Sequence, residues 1–209
     1  MLSRLAVAIL PPERICDDLS GVCSGLPQAR WIDAQNLYLP LQLIDLTLNN
    51  LFIEDLLQSL EGVESEPLRL RFSGIRYKKK GHGNGELSLA LEESTAVDQL
   101  RQRVRSALRE LPFESRKLAQ MPKIFLAHLE KGSDRRVAEF MQLHANYHSP
   151  WFDIQELYLL NLSSRGSQPR ILARIPLGPK TTSHREVSPP QELPSYWRRA
   201  WLPFPSGSS

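Results

Sequence analysis

Lys78, Lys79 and Lys80, preceded by Tyr77 and followed by Gly81 and His82, have the composition of an RNA-backbone contact. Three cations would track phosphates, and the phenol ring would stack on a base. A solvated hairpin tip accounts for the same run more simply. His144 and His148 stand four apart on a predicted helix, a spacing that can bind a metal ion. No Glu lies between them in the HExxH manner and no third ligand is evident, so packing beside Phe140 and Met141 is the better reading. Cys16 and Cys23 are too few for a disulfide framework or a structural zinc site, and read as packed free thiols. No cofactor and no metal is expected. Tyr196, Trp197, Arg198, Arg199, Trp201 and Phe204 form an aromatic and basic segment suited to docking on its own lobes, a protein partner or a membrane surface.

Elements that would position such groups can be read from periodicity. With 209 residues the chain fits one domain or two closely packed lobes. Leu5 to Leu10 reads as a first buried strand. Its apolar run is short for a leader, and Pro11, Pro12 and Glu13 stand where a cleavage site would need small residues. No stretch is long enough to span a bilayer, and a cytoplasmic location is expected. Ile15, Leu19, Val22 and Leu26 make one face of a helix opened by the two prolines. Leu37, Leu39, Leu41 and Leu43 alternate with Tyr38, Pro40 and Gln42, which is strand periodicity over 36–44. Further helices are predicted over about 51–60, from a capping box at Thr95 and Asp98, and over 134–147. Further strands are predicted over 68–72, 86–91, 122–129, 154–162 and 170–175. The run from Arg76 to Gly85 is expected to be a loop between two of them.

The order of strands and helices occurs twice. That predicts an α+β fold of two pseudo-symmetric lobes, with antiparallel sheets around a central cleft and helices on the outer faces. Residues 1–178 would form this bilobal domain. Residues 179–209, rich in Pro and Ser, would be a tail outside the core. The formal net charge is +3, of which the tail carries +2. Bulk charge therefore gives no argument for nucleic acid, and only a local cluster would.

Two segments, NLYLPLQLI and PKIFLAHLE, carry a resemblance. With Arg30 and Trp31 ahead of the first, they resemble the paired histidine-apolar-threonine motifs of the two-histidine phosphoesterases, of the bacterial 2'-5' RNA ligase and cyclic phosphodiesterase type. The opening AILPPE, the FSG turn at Phe72 to Gly74, ELYLLNLSS and the closing ILARIPLG agree with it. The resemblance covers about residues 1–178. It implies a phosphoric diester hydrolase in which one histidine accepts a proton, the other donates one, and the threonines hydrogen-bond the phosphate. In this sequence the histidine positions hold Tyr38 and Lys123, and the threonine positions hold Pro40 and Phe125. The arginine that commonly closes the second motif is His128, which a regular strand would point away from Lys123.

Tyrosine and lysine have reference pKa values near 10, so neither exchanges protons readily at neutral pH. Proline and phenylalanine offer no side-chain donor. The expectation is a protein lacking both catalytic histidines, without catalytic activity, which binds nucleotide or RNA phosphate ends. Lys123, Lys78, Lys79 and Lys80 are the candidate phosphate ligands. Two alternatives stand beside it: an active 2',3'-cyclic phosphodiesterase using the substituted residues, and a scaffold acting through its tail.

Overall fold

Alternation of apolar residues with period two produces most of the strands in the computed structural model. It describes residues 2–47, 50–81, 84–116, 118, 121–130, 134–162 and 168–178. In chain order the elements are β1 (Leu2–Ile9), α1 (Glu13–Val22), β2 (Ala29–Trp31), β3 (Leu39–Thr47), α2 (Asn50–Glu61), β4 (Leu68–Leu70), β5 (Phe72–Gly81) and β6 (Asn84–Leu91). There follow α3 (Thr95–Ala107), β7 (Glu114–Arg116), β8 (Lys123–Leu129), α4 (Asp134–Leu143), β9 (Phe152–Ile154), β10 (Glu156–Asn161) and β11 (Arg170–Pro176).

Two antiparallel sheets organise the molecule. The larger has the order β11-β10-β1-β3-β7, the smaller β2-β8-β6-β5, and β4 pairs with β9 apart from both. The sheets meet where β3 passes β8. Helices α2 and α3 contact strands of the larger sheet, and α4 contacts β5 of the smaller. Tyr147, just beyond α4, donates a hydrogen bond to Asp18 of α1 at 2.6 Å. Neither lobe is one half of the chain. The larger sheet takes β1 and β3 from the first half and β10 and β11 from the second, while β8 inserts beside β6 in the smaller.

Leu5, Val7 and Ile9 of β1 join one continuous core that also holds Leu19 of α1, Leu56 of α2, Leu100 of α3 and Leu126 of β8. The residues between them point the other way. Ala6 and Ala8 lie in a second, smaller apolar cluster with Leu10, Tyr158, Leu160 and Ile171, which includes no helix residue. The larger sheet is therefore apolar on both faces, and only Ala6 and Ala8 of β1 put small side chains on the helix-free one.

Several boundaries differ from expectation, for local reasons. Residues 34–36 form a 3-10 turn, so β3 begins at Leu39 and Tyr38 stands just ahead of it. The expected strand over 68–72 divides, because Leu68–Leu70 pairs with β9 while Phe72 opens β5. The helix α3 is capped by Ser94, whose Oγ accepts from Val97 N at 3.4 Å, and Thr95 is already helical. The lysine run is not a loop: β5 continues through it to Gly81. A strand with one face in solvent accommodates lysines at alternate positions, so their polarity was no argument against pairing.

Candidate functional site

The helix-free face of the larger sheet carries the first motif. Antiparallel residues directly opposite one another share a face, so Pro40 stands beside Ala8, and Ala8 beside Tyr158. Tyr38 packs against this small apolar cluster, as do Leu43 and Leu162. Burial pushes the Tyr38 phenol above its ordinary range, and the positive charge of Arg4 pulls weakly the other way. Tyr38 is thus a neutral phenol at physiological pH, able to donate a hydrogen bond but not to act as a base. Polar groups at the margins are engaged with each other. Arg4 pairs with Asp45 at 3.1 Å. Glu156 accepts hydrogen bonds from Tyr158 Oη at 2.8 Å and from Arg174 Nε at 2.8 Å.

The second motif lies on the smaller sheet. Lys123 is opposite Ala90, Phe125 opposite Ser88 and His128 opposite Glu86. On the next strand Arg76 is opposite Ser88 and Lys78 opposite Glu86, while Arg30 of β2 is opposite His128. Cross-strand pairing therefore collects Arg30, Arg76, Lys78, Lys123, His128 and Glu86 on one face. The other face turns to α4: Trp31 packs its ring 5.9 Å from that of Phe140, and Lys79 bonds Asp134 at 2.7 Å.

His128 joins that face against expectation. Between Leu87 and Ser88 the register shifts, and β8 gains one residue relative to β6. Such a bulge re-aims every side chain beyond it. His128 accordingly comes round to Phe125, with ring centroids 4.4 Å apart, and its Nδ1 lies 3.9 Å from Glu86 Oε1. Phe125 is half-buried and belongs to neither apolar cluster.

The lysine run does not act as a unit. Lys79 turns to α4, and Lys80 pairs with Glu86. Tyr77, expected as a stacking ring, is instead packed over Gly85 on the α4 side, where a Cβ on that glycine would run into the phenol ring. Only Lys78 joins Lys123 in having no ion-pair partner among the described residues; Arg76, which the sequence reading passed over, does the same. The signal for Arg76 was its spacing of two from Lys78, visible only once the segment is taken as a strand. The helix α4 ends at Leu143, short of both histidines; His144 lies against Phe140 at 4.5 Å between ring centroids, and His148 makes an isolated bridge to Ser73 of β5. Among the described residues no group of three or more His, Cys, Asp or Glu is placed to hold a metal ion. No helix among them is long and apolar enough to cross a membrane. His82 and the tail of 179–209 lie outside the described residues.

No family model matches the chain, and no curated protein sequence does. Solved structures do. The architecture, two lobes of antiparallel sheet with helices outside and a cleft between, is shared with a phosphoesterase, LigT and TT0787. A crystal structure of a phosphoesterase superposes with a TM-score of 0.65 at 17% identity, over 86% of this chain and 100% of that one. E. coli LigT in complex with 3'-AMP gives 0.63 at 18%, over 85% and 99%. TT0787 of Thermus thermophilus gives 0.66 at 17%, over 83% and 97%. At these identities the likeness establishes the fold.

Proposed function

We propose that this chain is a phosphodiesterase-like protein that holds a nucleotide or RNA phosphate end in its cleft without turning it over. The observation that carries the reading is Lys123: half-buried, on the sheet face turned away from α4, and without a carboxylate partner among the described residues. A partly desolvated cation in that position is stabilised by an anion, and a phosphate is the anion this fold accommodates in its relatives. LigT has been crystallised with 3'-AMP. Proton transfer is the missing part. Tyr38 is held neutral in its apolar surroundings, and Pro40 and Phe125 have no donor for a phosphate oxygen. A positioned acid or base contributes about 10²- to 10⁴-fold to such a reaction, and two are replaced.

The test pairs turnover with binding. An oligonucleotide ending in a 2',3'-cyclic phosphate is incubated with purified protein from pH 5 to 10, beside the Lys123→Ala variant. No hydrolysis, with binding weakened in the variant, is the expected result. Turnover that disappears in the variant would overturn the proposal.

The re-aimed His128 favours a second reading. Its Nδ1 stands 3.9 Å from Glu86 Oε1, so a small approach would give a base with an orienting carboxylate on the face that carries Lys123. Hydrolysis lost in His128→Gln would establish that reading instead.

A further inference from the structure

Five cations lie on the cleft face of the smaller sheet or reach it: Arg30, Arg76, Lys78, Lys80 and Lys123. Two carboxylates oppose them, and both are engaged. Glu130 pairs with Arg30 at 3.0 Å, and Glu86 with Lys80. Arg76, Lys78 and Lys123 are left without an acidic partner among the described residues. Outside its tail the chain nets only +1, so a face with five cations and two carboxylates, +3 in all, leaves the rest of the domain net negative. That is the local cluster which bulk composition failed to show.

The three cations are spread across the face rather than gathered at one point. Lys123 is opposite Ala90, while Arg76 and Lys78 are opposite Ser88 and Glu86. Two inter-strand steps and two to four residues along β6 separate them. That places Arg76 roughly 12 Å and Lys78 roughly 16 Å from Lys123, backbone to backbone. Along β8 beyond Lys123 stand Phe125 and His128, ring against ring, level with Arg76 and Lys78 across β6, and Phe125 is held by neither core cluster. A half-buried ring off the core, with cations spaced across the same sheet face, fits the pattern that binds single strands: bases stack and the backbone tracks the charge.

We infer that the ligand of this face is a single-stranded oligonucleotide running from Lys123 across β6 to Arg76 and Lys78 on β5, with one base stacked on Phe125 and His128. This rests on the phosphate-end reading above and adds a strand path and a length requirement to it. The replacement of a phosphate-binding threonine by phenylalanine then exchanges a contact to the reacting group for a contact to a base.

Labelled oligoribonucleotides of two, four and eight residues with a 3'-phosphate, and 3'-AMP as the single-nucleotide probe, are titrated against the full chain at several salt concentrations. Affinity is expected to rise from 3'-AMP to the tetramer. Three phosphate contacts give a slope of about −2 in log K against log salt. The Arg76→Ala/Lys78→Ala double variant should reduce that slope to about −0.7 and weaken the tetramer far more than it weakens 3'-AMP. Both residues are exposed, so the variant keeps its fold, which circular dichroism checks. Phe125→Leu should weaken the tetramer by about fivefold or more with the salt slope intact. If 3'-AMP binds but longer strands bind no tighter, and the double variant changes nothing, the strand path is wrong and the phosphate-end reading survives. Failure of every probe to bind overturns both. Displacement of the tetramer by oligoglutamate at equal charge would show a generic polyanion face and overturn the nucleic-acid assignment.

Discussion

If lost proton transfer is what silences this fold, two histidines should restore it. The perturbation is the double substitution Tyr38→His and Lys123→His. Each acid-base group is worth about 10²- to 10⁴-fold, so the pair should raise 2',3'-cyclic phosphate hydrolysis by about 10⁴-fold or more over the wild-type chain, a barrier change of at least about 5 kcal/mol. Groups that act as a unit are far from additive, so each single variant should recover only a small part. The surroundings also set the pH optimum. At position 38, the burial that keeps the phenol neutral would favour neutral imidazole, and Arg4 would oppose the imidazolium. At position 123, Arg76 and Lys78 on the same face act in the same direction. Both introduced histidines should therefore titrate below the usual value of about 6.5, and the bell-shaped rate profile should peak on the acid side of it. The assay is release of the opened phosphate from a labelled oligonucleotide across pH 4.5–8.5, with circular dichroism to show the variants folded. A folded double variant with no turnover above buffer at any pH would refute the reasoning, because the faces would then lack the alignment that chemistry needs. A wild-type rate equal to that of the double variant would refute it from the other side.

Three further outcomes follow from the packing. Gly85→Ala drives a methyl into the Tyr77 ring and should lower the melting temperature, and Gly85→Ala/Tyr77→Ala should recover part of the loss despite removing an aromatic ring. The Glu92 carboxyl is held below its ordinary value of 4.5 by its hydrogen bond from Arg71. A depressed carboxyl contributes stability above its unfolded pKa and loses it as pH falls through the folded value. Glu92→Gln should therefore differ from wild type in chemical denaturation at pH 7, with the difference shrinking below pH 4.5. Burial raises the Cys23 thiol to about 11. Alkylation of Cys23 at pH 8 should accordingly be on the order of a hundredfold slower than that of an ordinary thiol, and a fast-reacting cysteine there would contradict this burial.

Period-two and period-3.6 patterning was enough to read the α+β class from the sequence, because burial of one face imposes that pattern whatever the partner. Leu37, Leu39 and Leu41 are fully buried as the alternation implied, but a register shift between Val7 and Ala8 buries Gln42 and turns Leu43 to the other face; Phe140 packs on His144 as the helical spacing implied. The residue types at 38, 40, 123 and 125 are also where the proposed loss of proton transfer was read in the sequence. Tertiary structure decided what a sequence pattern does not encode. A single-residue bulge in β8 turned His128 toward Phe125, since side-chain direction beyond a bulge depends on the partner strand's register. The lysine run looked like one cluster along the chain. Pairing of β5 with β6 and the approach of α4 split it, with Lys79 bonded to Asp134, Lys80 to Glu86, and Lys78 placed beside Arg76 on the opposite face. Charge clustering is a property of a surface. The chain becomes a surface only when distant strands fix which residues stand side by side.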